Sequence, residues 1–219
     1  MTAVVVFDLD GTLIDSIAGI GAAANRMLAE EGQAPLTMAN VLQFVGNGLP
    51  KFVERTIHHR GLDPARHADL TQKMLAIYES VASDSTTAYP GVAEALSQLR
   101  NMGCVMGVCT NKPEGPARSI LRDLDLLPFF DSVIGGDTLS TRKPDPKHLL
   151  ASFDALPSVG PRIFVGDSEV DAETALRAEV PFLLFSEGYS KTPVADLPHT
   201  ALYSDSLQLP DLVRQIQKT

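Results

Sequence analysis

The chain is poor in cysteine, in positive charge and in long apolar runs, and each shortage narrows what it can be. Only two cysteines occur, Cys104 and Cys109, both inside one apolar stretch. Thiols so placed in a soluble chain are expected to be buried and reduced rather than reactive. Lys and Arg number 18 against 27 Asp and Glu, giving a formal net charge of −9 and a pI near 4.9. That balance argues against nucleic acid or an anionic membrane as partner. A small anionic substrate would need locally placed Lys, Arg or metal. No run approaches the roughly 18 apolar residues of a membrane span. The opening TAVVVFD has no basic n-region and no apolar h-region, so no secretory signal is expected. A cytoplasmic location follows as the expectation.

What is present is an ordinary globular composition: 219 residues, 44% hydrophobic and 21% charged, enough for one sizeable core and a smaller second one. Strands are expected at residues 4–7, 104–109, 132–134, 162–165, 180–185 and, more weakly, 201–203. These are continuous apolar runs rather than alternating ones, as in a parallel sheet buried on both faces. Amphipathic helices lie between them. The clearest is YPGVAEALSQLRNMG, where Val92, Leu96, Leu99 and Met102 form one stripe and Gly103 the stop. Others fall near 116–124, 146–156, 171–178 and 209–217. The alternation predicts an α/β fold with an open, doubly wound, Rossmann-like parallel sheet.

Residues 16–85 break that rhythm. They read as helices near 18–31, 38–45, 51–59 and 65–81 with no convincing strand. The block is too long for a simple crossover. It is taken as an inserted helical cap, leaving 1–15 and 86–219 as the α/β core domain.

Ligands of doubly wound sheets bind beyond the carboxyl ends of the strands, and there the chemistry gathers. The first strand runs into VVVFDLDGTLIDS. Side chains alternate along a strand, so Asp8 and Asp10 are expected on one side of its end. Like charges that close repel, and a bound cation would compensate. The second strand ends in Thr110, Asn111 and Lys112. The loop after the third holds Lys143, and the fourth ends in GDSEVD with Asp167, Ser168 and Asp171. Hard oxygen ligands with few nitrogen or sulfur competitors suit Mg²⁺, which uses substrate phosphate as a further ligand. Lys143 and the Thr110 turn can meet phosphate charge. A carboxylate not needed solely as a ligand can attack phosphorus. Asp8 and Asp10 then read as nucleophile and acid/base partner beside a metal.

DLDGT, CTNK, RKPDP and GDSEVD, in this order, resemble the four motifs of the haloacid dehalogenase superfamily, and the insertion resembles its helical cap of the first type. FVGNGLPKFVERT within the insertion is similar to the cap segment of phosphoglycolate phosphatases. The resemblance covers essentially the whole chain and implies a Mg²⁺-dependent phosphomonoesterase acting on a small phosphorylated acid, 2-phosphoglycolate first. It implies that Asp8 attacks phosphorus and holds Mg²⁺ with its other oxygen. Asp10 would protonate the leaving alkoxide, then deprotonate water, and touch the metal through its carbonyl. Thr110 and the backbone of Asn111 would bind the phosphoryl group and Lys143 would neutralise charge. Asp167 would ligate Mg²⁺, and Asp171 would ligate or orient it through water. Gly46, Asn47 and Gly48 would close over the substrate, and the Arg55 fork suits a substrate carboxylate. Two departures stand out: Val170 where relatives carry a small polar residue, and Glu179 where a helix-ending Gly is common.

Blander readings exist for each residue. Asp8 and Asp10 suit turns, Thr110 a helix N-cap, Asp171 a helix N-terminus, residues 46–48 a plain turn, and Lys143 and Arg55 solvated surface. His58 and His59 are taken as solvated. The competing functions are a sugar phosphomutase using the same aspartyl-phosphate, a dehalogenase (disfavoured by Asp10), a signalling receiver domain (too small, with its Asp on a later strand) and a binding protein with a decayed site. A monomer or homodimer is expected.

Overall fold

A computed structural model describes residues 3–157 and 160–218. Its centre is β1 (Val4–Phe7), four apolar residues that are all buried. Val5 and Phe7 pack into one hydrophobic cluster, while Val4 and Val6 pack into another on the opposite face. A strand with both faces apolar needs helices on both sides, and it has them. β4 (Val105–Cys109) and β6 (Arg162–Gly166) flank β1, all parallel, with Phe7 opposite both Val108 and Val165. β5 (Ser132–Ile134) lies outside β4, and β7 (Phe182–Phe185) and β8 (Ala201–Tyr203) lie outside β6, giving the order β5-β4-β1-β6-β7-β8. The sheet is the doubly wound α/β arrangement expected. The chain fills one side of β1 first and then crosses to the other, so the switch in strand order falls beside β1. That is where a crevice opens.

α5 (Val92–Asn101), α6 (Glu114–Asp123) and α9 (Leu209–Gln217) cover one face. α7 (Pro146–Asp154) and α8 (Glu169–Ala178) cover the other, through Leu149, Phe153, Ala172 and Ala175. The strand expected at 180–185 starts two residues later, at Phe182. Glu179 adopts a left-handed conformation (φ 55°) and its N–H caps α8, and the Pro181 carbonyl then accepts from Phe164 N–H. An exposed L-residue in that conformation is strained by about 1 kcal/mol. Glu179→Gly is therefore expected to raise stability by about 0.5–1 kcal/mol, roughly 1–3 °C in Tm. A thermal melt checks it, and an unchanged or lower Tm would mean the cap is not strained.

Four α-helices fill the interval from residue 16 to residue 85, ahead of α5: α1 (Ile17–Glu30), α2 (Met38–Phe44), α3 (Leu49–Arg60) and α4 (His67–Ser85). α1 and α4 form the spine, burying Ala23, Ala24, Met27 and Leu28 with Leu70, Met74 and Tyr78. α2 starts on a Thr37–Asn40 capping box. α3 follows Gly48 (φ 83°) with Pro50 in its first turn, a favourable start because proline needs no partner for an N–H there. The block leaves and rejoins the sheet through a ribbon absent from the sequence reading: β2 (Ile14–Asp15) pairs antiparallel with β3 (Thr87–Ala88). No helix among the described residues is long and apolar enough to cross a membrane.

Candidate active site

β1 stops at Phe7, and this corrects the expectation that Asp8 and Asp10 share a strand face. The Leu9 carbonyl accepts from Thr12, Leu13 and Ile14 N–H, and Gly11 takes φ 91°. The chain therefore turns right after Asp8. The two carboxylates end up with separate lysines, so the repulsion is relieved within the protein. Asp8 Oδ1 lies 2.8 Å from Lys143 Nζ. Asp10 Oδ1 lies 3.0 Å from Lys112 Nζ and accepts from Ser16 Oγ at 2.5 Å.

Asp8 belongs to a buried cluster. Its carboxylate and those of Asp167 and Asp171 each offer an oxygen within 4.8 Å of the others. Parallel register brings them together: Asp8 N–H donates to the Val165 carbonyl, so β1 and β6 end side by side. Asp167 accepts from Thr12 Oγ1 at 2.6 Å and from Tyr189 N–H at 2.7 Å. Asp171 accepts from Lys143 Nζ at 2.6 Å, and its other oxygen takes Asp167 N–H, Ser168 N–H and Ser168 Oγ. Asp171 thus sits both at the α8 N-terminus and in the cluster. Glycine is required around it. A Cβ on Gly11 would stand 2.3 Å from Asp167 Oδ2, and one on Gly188 2.3 Å from Asp167 Cβ.

Two of the three buried carboxylates, Asp8 and Asp171, share one buried lysine, Lys143. Burial pushes Asp8 up to about 7, with Asp171 adding to the shift and Lys143 opposing it. Burial, then Asp171 and Asp8, raise Asp167 well above the ordinary carboxylate range. Burial alone would lower Lys143, but Asp171 and Asp8 more than reverse that and hold it protonated. The cluster has an excess of negative charge and an Asp8 Oδ1 on which no hydrogen-bond donor is aligned. An all-oxygen site of this kind fits a hard divalent cation.

Opposite the cluster, β4 ends in Thr110 and Asn111, both buried. The Thr110 hydroxyl accepts from Lys112 N–H at 3.2 Å. Asn111 Nδ2 donates to the carbonyls of Gly46 (3.2 Å) and Lys143 (3.1 Å), which ties the 45–48 loop to the site. Gly136 lets this strand end approach, because a Cβ there would stand 2.3 Å from the Asn111 carbonyl. Asp8, Asp10, Thr110, Asn111 and Asp167 line one cleft with Gly46 and Gly48. Apolar α3 and α4 residues such as Phe52 and Met74 supply part of its wall.

Residues 5–185 match the family model of haloacid dehalogenase-like hydrolases. The chain belongs to the haloacid dehalogenase-like hydrolases. It is 48% identical to a phosphoglycolate phosphatase of Cereibacter sphaeroides over 97% of this chain and 98% of that protein. It is 43% identical to a phosphoglycolate phosphatase of Rhodospirillum rubrum, over 96% and 90% respectively. The fold matches the crystal structure of a predicted phosphoglycolate phosphatase from Haemophilus somnus, with a TM-score of 0.89 at 24% identity, covering 97% of this chain and 98% of that one.

Not every residue singled out from the sequence faces the cleft of this hydrolase. Arg55 and Asn47 are not among its lining residues. The Arg55 guanidinium donates to the Phe44 carbonyl and to Asn47 Oδ1, each at 2.7 Å, and so holds the 45–48 loop from behind. His59 packs its ring edge-on to Phe44. Lys112, named from the sequence at the strand end but given no role there, also donates from its Nζ to Tyr78 Oη of α4 at 2.6 Å. Burial lowers Lys112, but Asp10 and Tyr78 raise it by more. Tyr189 was missed. Its backbone N–H reaches Asp167 while its hydroxyl donates to Asp15 and accepts from Ser16 and Ile17 N–H. A lysine inside CTNK was a visible signal, whereas a tyrosine in a polar loop gave none.

Proposed function

We propose that this chain is a Mg²⁺-dependent phosphomonoesterase that hydrolyses 2-phosphoglycolate to glycolate and phosphate through an aspartyl-phosphate on Asp8. The observation that carries the reading is the pairing of two aspartates with two lysines at the switch point of the sheet. Lys143 stands with Asp8 in the carboxylate cluster, and Lys112 stands with Asp10 outside it. The full-length similarity to phosphoglycolate phosphatases supports the substrate.

Asp8 attacks phosphorus in line, and its proximity replaces a bimolecular encounter. Asp10, oriented by Ser16 and Lys112, gives a proton to the departing alkoxide. It then takes one from the water that attacks the aspartyl-phosphate, releasing phosphate and regenerating Asp8. Thr110 and the Asn111 backbone bind the phosphoryl oxygens, and Lys143 neutralises charge on them. Mg²⁺ would be held by Asp8, Asp167 and the Asp10 carbonyl, with Asp171 orienting the set. When bound it supplies positive charge to the phosphoryl oxygens. Residues 16–85 act as a cap over the 1–15 and 86–219 core, and the 45–48 loop excludes water when it closes.

Phosphate release from 2-phosphoglycolate, sugar phosphates, pyrophosphate and nucleotides, each with Mg²⁺ and with EDTA, tests this reading. The expected result is a strong preference for 2-phosphoglycolate that EDTA abolishes. Metal-dependent release from another ester would keep the chemistry and discard the substrate, and no release from any would discard both. Because Asp8 is held up to about 7, protons compete with metal for it. Apparent Mg²⁺ affinity is therefore expected to weaken as pH falls below about 7, read from Mg²⁺ titrations of activity at pH 6 and 8. Equal affinity at the two would contradict the assignment of Asp8 as a ligand.

A further inference from the structure

Lys191, in the loop after β7, lines the same cleft as Asp8 and Thr110, yet nothing in the chemistry above uses it. Lys112 is the other lysine lining that cleft, and its ammonium is committed to Asp10 and Tyr78. Lys191 Nζ has a different setting. Its hydrogen-bond partner is a neutral group, the Val45 carbonyl at 2.7 Å. Among the described residues no carboxylate lies within the 4.0 Å of an ion pair from it.

The loop that carries it is built to hold it in place. Glu169 Oε1 accepts from the backbone N–H groups of Lys191 and Thr192, both at 2.5 Å. Glu169, the carboxylate whose charge acts on Lys191, is thereby engaged by the backbone. The cation is placed close to the phosphoryl side of the site. Gly46 bridges the two regions: its carbonyl accepts from Asn111, and Lys191 Nζ would stand 3.8 Å from a Cβ on it. Burial, and then the like charge of Arg55, hold Lys191 below its ordinary pKa. An anion bound beside it would offset both effects by its opposite charge. Arg55 itself is turned to Phe44 and Asn47.

We propose that Lys191 Nζ binds the carboxylate of the substrate and thereby sets a preference for phosphate esters of small acids. The inference rests on the phosphomonoesterase reading above and names the residue that reads the acid. The phosphate end is fixed by Thr110, Asn111 and Lys143. The carboxylate end exchanges the Val45 carbonyl for its place on the Lys191 ammonium or joins it there, since an ammonium offers three donors.

The test compares 2-phosphoglycolate with ethyl phosphate, which replaces the carboxylate by a methyl group, on the full chain with Mg²⁺. A charge-assisted hydrogen bond lost from ground state and transition state alike raises KM and spares kcat. Lys191→Met is expected to raise KM for 2-phosphoglycolate about 10- to 100-fold, with kcat/KM for ethyl phosphate falling no more than about threefold. Lys191→Arg is expected to recover most of the loss, and Lys191→Gln serves as a second neutral variant should the Met form fold poorly. Equal losses on both esters, or no loss on either, would overturn the assignment, because a role confined to holding the Val45 loop does not distinguish them. Should wild type prefer a different carboxylate-bearing ester, the 2-phosphoglycolate reading falls and the same comparison on that ester decides Lys191. Should it show no preference for carboxylate at all, both fall.

Discussion

Asp8→Asn is expected to lower kcat for phosphate release by at least about 10³-fold, some 4 kcal/mol of barrier, while leaving the fold intact or more stable. The loss follows because a carboxamide neither attacks phosphorus nor forms the aspartyl-phosphate on which the second half of the reaction depends. The stability gain follows from charge. Asp8 sits in a buried cluster with Asp167 and Asp171, and burial pushes it from 3.8 to about 7. A carboxyl whose folded value lies above its unfolded one costs nothing in acid. The cost grows as pH rises from 3.8 to about 7 and is complete above that. Asparagine removes it. In EDTA at pH 8 the variant should melt above wild type, the gap should close toward pH 4, and Mg²⁺ should raise wild-type Tm more than that of the variant. Retained turnover would rule out Asp8 as nucleophile. A variant that melts below wild type at pH 8 would mean that the cluster is not charge-strained.

How much of this could be read in the sequence depended on whether a residue's role is local. VVVF is apolar on both faces, so β1 was legible, and the strand-end positions of Thr110 and Asp167 and the loop position of Lys143 followed from the alternation of strand and helix. Features that need two distant segments were not. β2 and β3 have two residues each, too few for any period, and they pair across an interval of some seventy residues. The turn after Asp8 depends on Gly11 adopting φ 91°, which a strand-alternation argument does not anticipate. Lys112 was visible at the end of β4, but its part in the site depends on Tyr78 of α4 and Asp10 arriving from two other elements. Arg55 shows the reverse: its type suited a substrate anion, but the Phe44 carbonyl at the end of α2 and Asn47 eight residues earlier engage its guanidinium. Side-chain chemistry was legible, and the competition among neighbours for each donor was not.

That competition is sharpest at Lys143, and its removal should be the most destabilising change in the site. Lys143 is 3% exposed, with its ammonium 2.8 Å from Asp8 and 2.6 Å from Asp171 and 5.5 Å above the Phe164 ring. Lys143→Met keeps the length and the apolar stem but strands two buried carboxylates, Asp8 and Asp171, without their lysine. Breaking a buried pair in this way costs about 3–5 kcal/mol, and turnover should fall at least 10²-fold through the lost charge neutralisation, roughly 2.7 kcal/mol or more. Packing and charge are separable by pH. Lys143 opposes the rise of Asp8, so without it that carboxyl moves higher still, and the penalty of ionising the cluster becomes larger and sets in with rising pH. The stability deficit of the variant should therefore be greatest at pH 8, shrink as acid protonates Asp8 and Asp167, and shrink again when Mg²⁺ supplies the missing charge. Chemical denaturation at pH 5 and pH 8, with and without Mg²⁺, reads all three. A deficit that stays the same under every condition would assign the loss to packing against Phe164 and remove Lys143 from the electrostatics of the site.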